Sequence, residues 1–238
     1  MARHKLAQFV ENETFSHMFY APREELLKGF ALKGNWKKDF FKNDNPITLE
    51  LGCGKGEYTV GLAKKYPNRN FIGIDLKGSR MWHGASIVQK EGLKNVAFIR
   101  TKIDQLLQFF VTDEVAEIWL TFSDPQPRHE KRRLSSPRFL NLYREVLQPN
   151  GFIHQKTDNR ELIDYTLEVV HYYNFPLDYS TYDVYKTESK NDLVEIQTYY
   201  EKIYLKEGIP INYMKFRLNK EFETNTLLVL PVEIAKNI

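Results

Sequence analysis

The chain has 238 residues, 42% of them hydrophobic and 27% charged, with thirty-four Lys and Arg against thirty-one Asp and Glu. A formal charge of +3 argues weakly for a polyanionic partner. One cysteine, Cys53, excludes an internal disulfide and leaves too few thiolates for a structural zinc site. Apolar runs such as residues 226–231 are far shorter than the roughly 18 residues of a membrane span. No apolar core follows Met1-Ala2-Arg3-His4-Lys5, so a cytoplasmic chain without a secretory signal is expected. Sixteen Phe and fourteen Tyr suit a filled core or a base-stacking surface, and composition does not choose between them.

Residues 1–44 lack clean periodicity and are broken by Gly29 and Gly34, which reads as a flexible basic and aromatic arm. From Ile47 the pattern sharpens. Ile47–Leu51 reads as a buried strand, Glu57–Tyr66 as a helix stopped by Pro67, and Phe71–Asp75 as a second strand. Ser79–Glu91 is a helix closed by Gly92, Val96–Ile99 a third strand, and Leu106–Phe110 a helical stretch. Ala116–Phe122 is the fourth strand, Pro137–Leu147 a helix, Gly151–Gln155 the fifth strand and Glu161–Tyr173 a helix. Strands alternating with helices predict an α/β, doubly wound, mostly parallel sheet. Leu177–Tyr182, a helix over Val194–Lys206 and Ile211–Phe216 follow, the late strands adding an antiparallel edge. Residues 218–238 extend beyond this domain of 45–217, and residues 226–231 are either an added edge strand or a partner-binding segment.

The strongest local signal is Leu49-Glu50-Leu51-Gly52-Cys53-Gly54-Lys55-Gly56. A strand that enters a turn with alternate glycines lets the backbone approach a ligand closely. Dinucleotide folds need a third glycine where this chain has Glu57, and a carboxylate at that helix start would repel pyrophosphate. A dinucleotide oxidoreductase is therefore disfavoured. The turn, with Glu50 before it and Asp75 ending the next strand nineteen residues after Gly56, resembles motif I of the Rossmann-like class I S-adenosylmethionine (SAM) methyltransferases. That resemblance implies SAM as cofactor, held by Glu50 at its methionine end, by Gly52, Gly54 and Gly56, and by Asp75 at its ribose. After the third strand the register offers Lys102-Ile103, with Asp104 two residues late, so a backbone amide is expected to meet the adenine.

A second constellation follows the fourth strand: Ser123-Asp124-Pro125-Gln126-Pro127-Arg128-His129-Glu130-Lys131-Arg132-Arg133. Between Arg128 and Arg138 five basic residues face one acid, the densest charge bias in the chain. Taken with Lys156-Thr157-Asp158-Asn159-Arg160, Thr198-Tyr199-Tyr200-Glu201 and the N-terminal Arg3-His4-Lys5 and Lys33-Gly34-Asn35-Trp36, this resembles TrmB, the bacterial tRNA (guanine-N(7)-)-methyltransferase family. The resemblance implies methyl transfer from SAM to nitrogen 7 of a guanine in tRNA. It implies Asp124 as catalytic residue and cofactor contact, and Arg128, Asp158, Thr198 and Glu201 around the guanine. Lys131, Arg132 and Arg133 would meet the tRNA backbone, no metal is required, and the enzyme is a monomer or homodimer without an obligate protein partner. The family's Asp-Pro-Trp-x-Lys segment is two residues shorter here, Gln126 standing for the tryptophan and Arg128 near the lysine. Methylation of an exocyclic amine in RNA, or RNA binding without catalysis, are the alternatives.

Overall fold

The structure is a computed structural model that describes residues 2–187 and 191–218. An eight-stranded sheet holds β1 (Met18–Phe19), β2 (Ile47–Leu51), β3 (Asn70–Asp75), β4 (Val96–Arg100), β5 (Val115–Thr121), β6 (Leu147–Thr157), β7 (Leu177–Thr181) and β8 (Asn212–Arg217). Its order is β1-β4-β3-β2-β5-β6-β8-β7, with β8 antiparallel to both neighbours and every other pairing parallel. The helices are α1 (Ala2–Asn12), α2 (Arg23–Lys28), α3 (Glu57–Lys65), α4 (Gly78–Glu91), α5 (Leu106–Phe109), α6 (Pro137–Val146), α7 (Arg160–Tyr172), α8 (Val184–Thr187), α9 (Asp192–Glu195) and α10 (Tyr199–Lys206). The doubly wound sheet and its antiparallel edge match the sequence-based expectation.

Because strand side chains alternate between faces, the sheet builds two cores. Leu49, Leu51, Ile72, Ile118, Leu120 and Ile153 pack with α5, α6 and α7 residues such as Leu106, Leu140 and Val169. Phe71, Phe98, Trp119 and Tyr213 face the other way, onto Tyr58, Leu62, Met81 and Ala85 of α3 and α4. Glu50 lies between Leu49 and Leu51 in sequence, so it points to the α3 side.

Residues 2–44 are not an extended arm. Asn12, ending α1, donates to Gly78 O at the start of α4 at 2.8 Å, and β1 adds a parallel edge beside β4, pairing Met18 with Phe98 and Phe19 with Ile99. A π-helical turn over Trp36–Phe41 sends Trp36 into the core with no solvent exposure, and its indole nitrogen donates to Phe109 O at 2.9 Å. Phe19, Phe30, Phe40, Phe41 and Phe110 surround it. The segment lacked periodicity because it contributes isolated aromatic plugs rather than a repeating face. The boundary expected at 44/45 is therefore not a break in packing. The expected helix over 194–206 also divides, at Ile196–Thr198, where Thr198 caps the second piece. Residues 226–231 lie outside the described residues.

Candidate active site

Strand order reverses between β2 and β5, and at such a point the carboxyl ends of an open parallel sheet leave a crevice. The glycine turn follows β2 there, Asp75 ends β3 beside it, and the Asp124 loop leaves β5. Gly52, Gly54 and Gly56 all take positive φ, but for different reasons. A Cβ on Gly56 would lie 2.6 Å from the Phe98 ring, so that position is dictated by packing of α3 on the sheet. A Cβ on Gly54 would meet nothing within 4 Å, so its bareness keeps open the space above the turn. Asp75 borders that space, its two carboxylate oxygens accepting from Gly54 N at 2.9 Å and Lys77 N at 2.8 Å. The carboxylate is thus fixed in place while remaining half-exposed, which suits a ribose diol above the turn.

Glu50 sits lower. It is buried and accepts from Thr59 N at 2.7 Å and from the hydroxyls of Thr59 and Thr121. Burial pushes its pKa up to about 7 against the opposing pull of those three donors, with Asp75 adding to the rise. Glu50 therefore joins β2, α3 and β5 beneath the turn. Glu57, read from sequence as repelling phosphate, accepts the backbone N–H of Tyr199 at 2.9 Å and so fastens α10 to the start of α3.

Asp124 and Asp158 leave neighbouring strands: Thr121 pairs with Lys156, and Phe122 N donates to Lys156 O at 2.8 Å. Asp124 is exposed and accepts from Gln126 N at 3.0 Å, while Phe122 and Gln126 take φ of 50° and 45°, so the shortened loop is tightly folded. Asp158 is half-buried, and burial raises its pKa. Arg128, Lys131 and Arg132 are exposed along the same loop. Arg133 is not. It has no solvent exposure, donates from Nε to Pro125 O at 2.9 Å, pairs with Glu161 and stacks 4.4 Å from the Tyr165 ring centroid. A phosphate contact from Arg133 is thereby corrected: its guanidinium is buried, two of its nitrogens holding the Asp124 loop to α7.

Thr198 and Glu201 form a reciprocal capping box at the start of α10. Glu201 is fully buried, and its carboxylate also takes Lys156 Nζ at 2.6 Å and Tyr185 Oη at 2.8 Å. Both residues lie beside the crevice, yet their polar atoms serve the helix start and a buried ion pair. Sequence reasoning missed Lys156, whose signal was a lysine inside a strand buried on both faces, where a cation requires a partner. Asp104 pairs with Arg138. Among the described residues no cluster of side chains could hold a metal ion.

Residues 44–214 match the family model Methyltransf_4, described as "Putative methyltransferase". The tRNA (guanine-N(7)-)-methyltransferase of Christiangramia forsetii is 49% identical over 221 residues, 91% of this chain and 99% of that one. Those of Bacteroides thetaiotaomicron and Porphyromonas gingivalis are 46% and 50% identical, covering 93% and 87% of this chain and 88% and 87% of their own. Among solved structures, the 16S rRNA methyltransferase KamB superposes with a TM-score of 0.60 at 14% identity, over 75% of this chain and 90% of that one. A 30S ribosomal A1408 methyltransferase from an uncultured bacterium gives 0.55 at 18% identity over 80% and 96%. At these identities the structures speak for the fold, and the sequence relatives speak for the lineage: the chain belongs to the family of tRNA (guanine-N(7)-)-methyltransferases.

Proposed function

We propose that this protein transfers a methyl group from SAM to nitrogen 7 of guanine in the variable loop of tRNA. The observation that carries this reading is identity of 46–50% to enzymes of that name over nearly the whole chain. SAM supplies an electrophilic methyl group on a sulfonium. Nitrogen 7 presents an in-plane lone pair, so the protein needs no base to create the nucleophile. Its task is alignment and exclusion of water.

Gly52, Gly54 and Asp75 hold the cofactor, with Glu50 setting the shape of the turn from below. Asp124 and Asp158 accept from the Watson–Crick donors of the guanine, orienting the opposite edge toward the methyl group. Purine charge becomes more positive as the bond forms, and two carboxylates on adjacent strand ends stabilise it. Asp124 is thus an orienting and electrostatic residue. Exposed Arg128, Lys131 and Arg132 contact phosphates, and Thr198 and Glu201 frame the pocket through the capping box. All these groups come from one chain, so a monomer or homodimer suffices, and the substrate implies a cytoplasmic enzyme. Among the described residues no helix is long and apolar enough to cross a membrane.

Tritiated SAM and unmodified tRNA test the reading. Borohydride–aniline treatment should cleave the RNA at the labelled guanosine. Label in an alkali-stable exocyclic methylamine would instead support the other nucleophile, and SAM binding without transfer would support a non-catalytic RNA-binding protein.

A further inference from the structure

Among the described residues every strongly exposed large aromatic is a tyrosine: Tyr20, Tyr172, Tyr179, Tyr182, Tyr199 and Tyr200. Of these, Tyr199 and its neighbour Tyr200 adjoin the glycine turn, through Lys55 and Glu57. An isolated exposed tyrosine is ordinary, but this pair is adjacent and anchored.

Tyr199 and Tyr200 open α10, 49% and 46% exposed, with ring centroids 5.6 Å apart and planes at 80°. Tyr199 is tied down twice. Its backbone N–H is held by Glu57, and Lys55, between two glycines of the turn, lays its ammonium 3.9 Å from the ring centroid. One helical turn after Tyr200, on the same face, Tyr204 stacks on Phe122 at 6.1 Å and 29°. Phe122 is two residues before Asp124. Tyr204 thus links the helix that carries the pair to the loop that carries Asp124.

We infer that Tyr199 and Tyr200 form a stacking subsite for the base of the nucleotide next to the target guanosine, with Lys55 beside it to meet a phosphate. The inference rests on the tRNA reading above and deepens it. Presenting one base to a crevice pulls it from its stack, leaving a neighbour's face exposed, and a rigid aromatic surface beside the site replaces that lost stacking. Any base can use such a surface, so the subsite adds affinity and geometry without reading sequence. A cation over the tyrosine face belongs with a polyanion, where the nearby carboxylates alone would repel the backbone.

The test measures binding of a tRNA transcript to the wild type, to the double variant Tyr199→Ala/Tyr200→Ala and to Tyr199→Phe/Tyr200→Phe. Two further transcripts carry an abasic nucleotide on either side of the target guanosine. The alanine pair should raise Kd by about tenfold to hundredfold, with the slope of log Kd against log salt unchanged. The phenylalanine pair should recover most of that loss. One abasic transcript should bind the wild type correspondingly more weakly and cost the alanine pair nothing more. Unchanged SAM affinity and melting temperature in the variants separate stacking from damage to the fold. A Kd for the alanine pair within about twofold of wild type, or abasic losses that add in full, would overturn the inference. A wild type that neither binds nor methylates tRNA removes the underlying reading as well.

Discussion

Arg133 and Pro125 are joined by a 2.9 Å hydrogen bond from the guanidinium Nε to the carbonyl oxygen, with no part of the arginine open to solvent. A second guanidinium nitrogen pairs with Glu161 on α7. The loop that carries Asp124 is thus clamped from below by a residue eight positions later. The neighbouring Lys131 and Arg132 look outward. One basic run serves two purposes, and burial separates them.

Arg133→Lys should lose the forked contact to Pro125 and Glu161, since an ammonium cannot make both in the same plane. The expected cost is about 1–3 kcal/mol of stability together with a fall in kcat. Lys131→Gln and Arg132→Gln should leave stability nearly unchanged and each lower the salt slope of tRNA binding by about one. Denaturant titration and salt-dependent binding check both halves. An Arg133→Lys variant that changes the salt slope while keeping its stability would return Arg133 to the RNA.

Lys156 and Glu201 are a fully buried ion pair, 2.6 Å apart. Burial lowers the Lys156 pKa while Glu201 pulls the other way. Lys156→Met strands a carboxylate and should cost about 3–5 kcal/mol. The double variant Lys156→Met/Glu201→Gln should recover much of that stability, because a neutral amide oxygen still accepts from Thr198 N or Tyr185 Oη without needing a cation beside it. Unfolding curves of the two single variants and the double give the coupling, and simple additivity would contradict it.

Glu50 provides a pH signature. Its pKa rises from the ordinary 4.5 to about 7 on folding. The folded state therefore binds the proton more tightly than the unfolded state. Its contribution to stability is full below about pH 4.5 and is lost as pH rises through about 7. Glu50→Gln removes that dependence. Relative to the wild type, the variant should be more stable at pH 8 than at pH 5 by on the order of 3 kcal/mol. Chemical denaturation at the two pH values measures the difference, and a constant gap would show that Glu50 ionises normally.

Asp124 is exposed, and its one hydrogen bond within the loop is to Gln126 N. Asp124→Ala should therefore fold normally, keep SAM affinity and lose methyl transfer by at least about a hundredfold, the scale of one lost transition-state contact. Equilibrium dialysis with SAM and single-turnover transfer separate the two effects. Loss of SAM binding would move Asp124 to the cofactor.

The sheet was legible in the sequence because each strand–helix alternation is a local pattern, read within a few residues. The same holds for the glycine turn, Asp75 and the Asp124-Pro125 loop, whose chemistry lies in adjacent positions. Residues 2–44 give no periodic signal, since Trp36 and Phe19 take their places only against Phe109, Phe110 and β4, far away in the chain. Arg133 looked like its basic neighbours, and Glu201 like a ligand.

The sequence by itself determined the fold class and the family and named a set of candidate polar residues, because periodicity and motif spacing survive without coordinates. Only the tertiary structure decided which of those polar groups face solvent and which are consumed inside. It put Trp36 and Phe98 in the core and Tyr199 and Tyr200 at the rim, turned Arg133 inward and paired Glu201 with Lys156. Burial is a property of the assembled layers, and a charge is either available to a ligand or already matched by a partner brought from elsewhere in the chain.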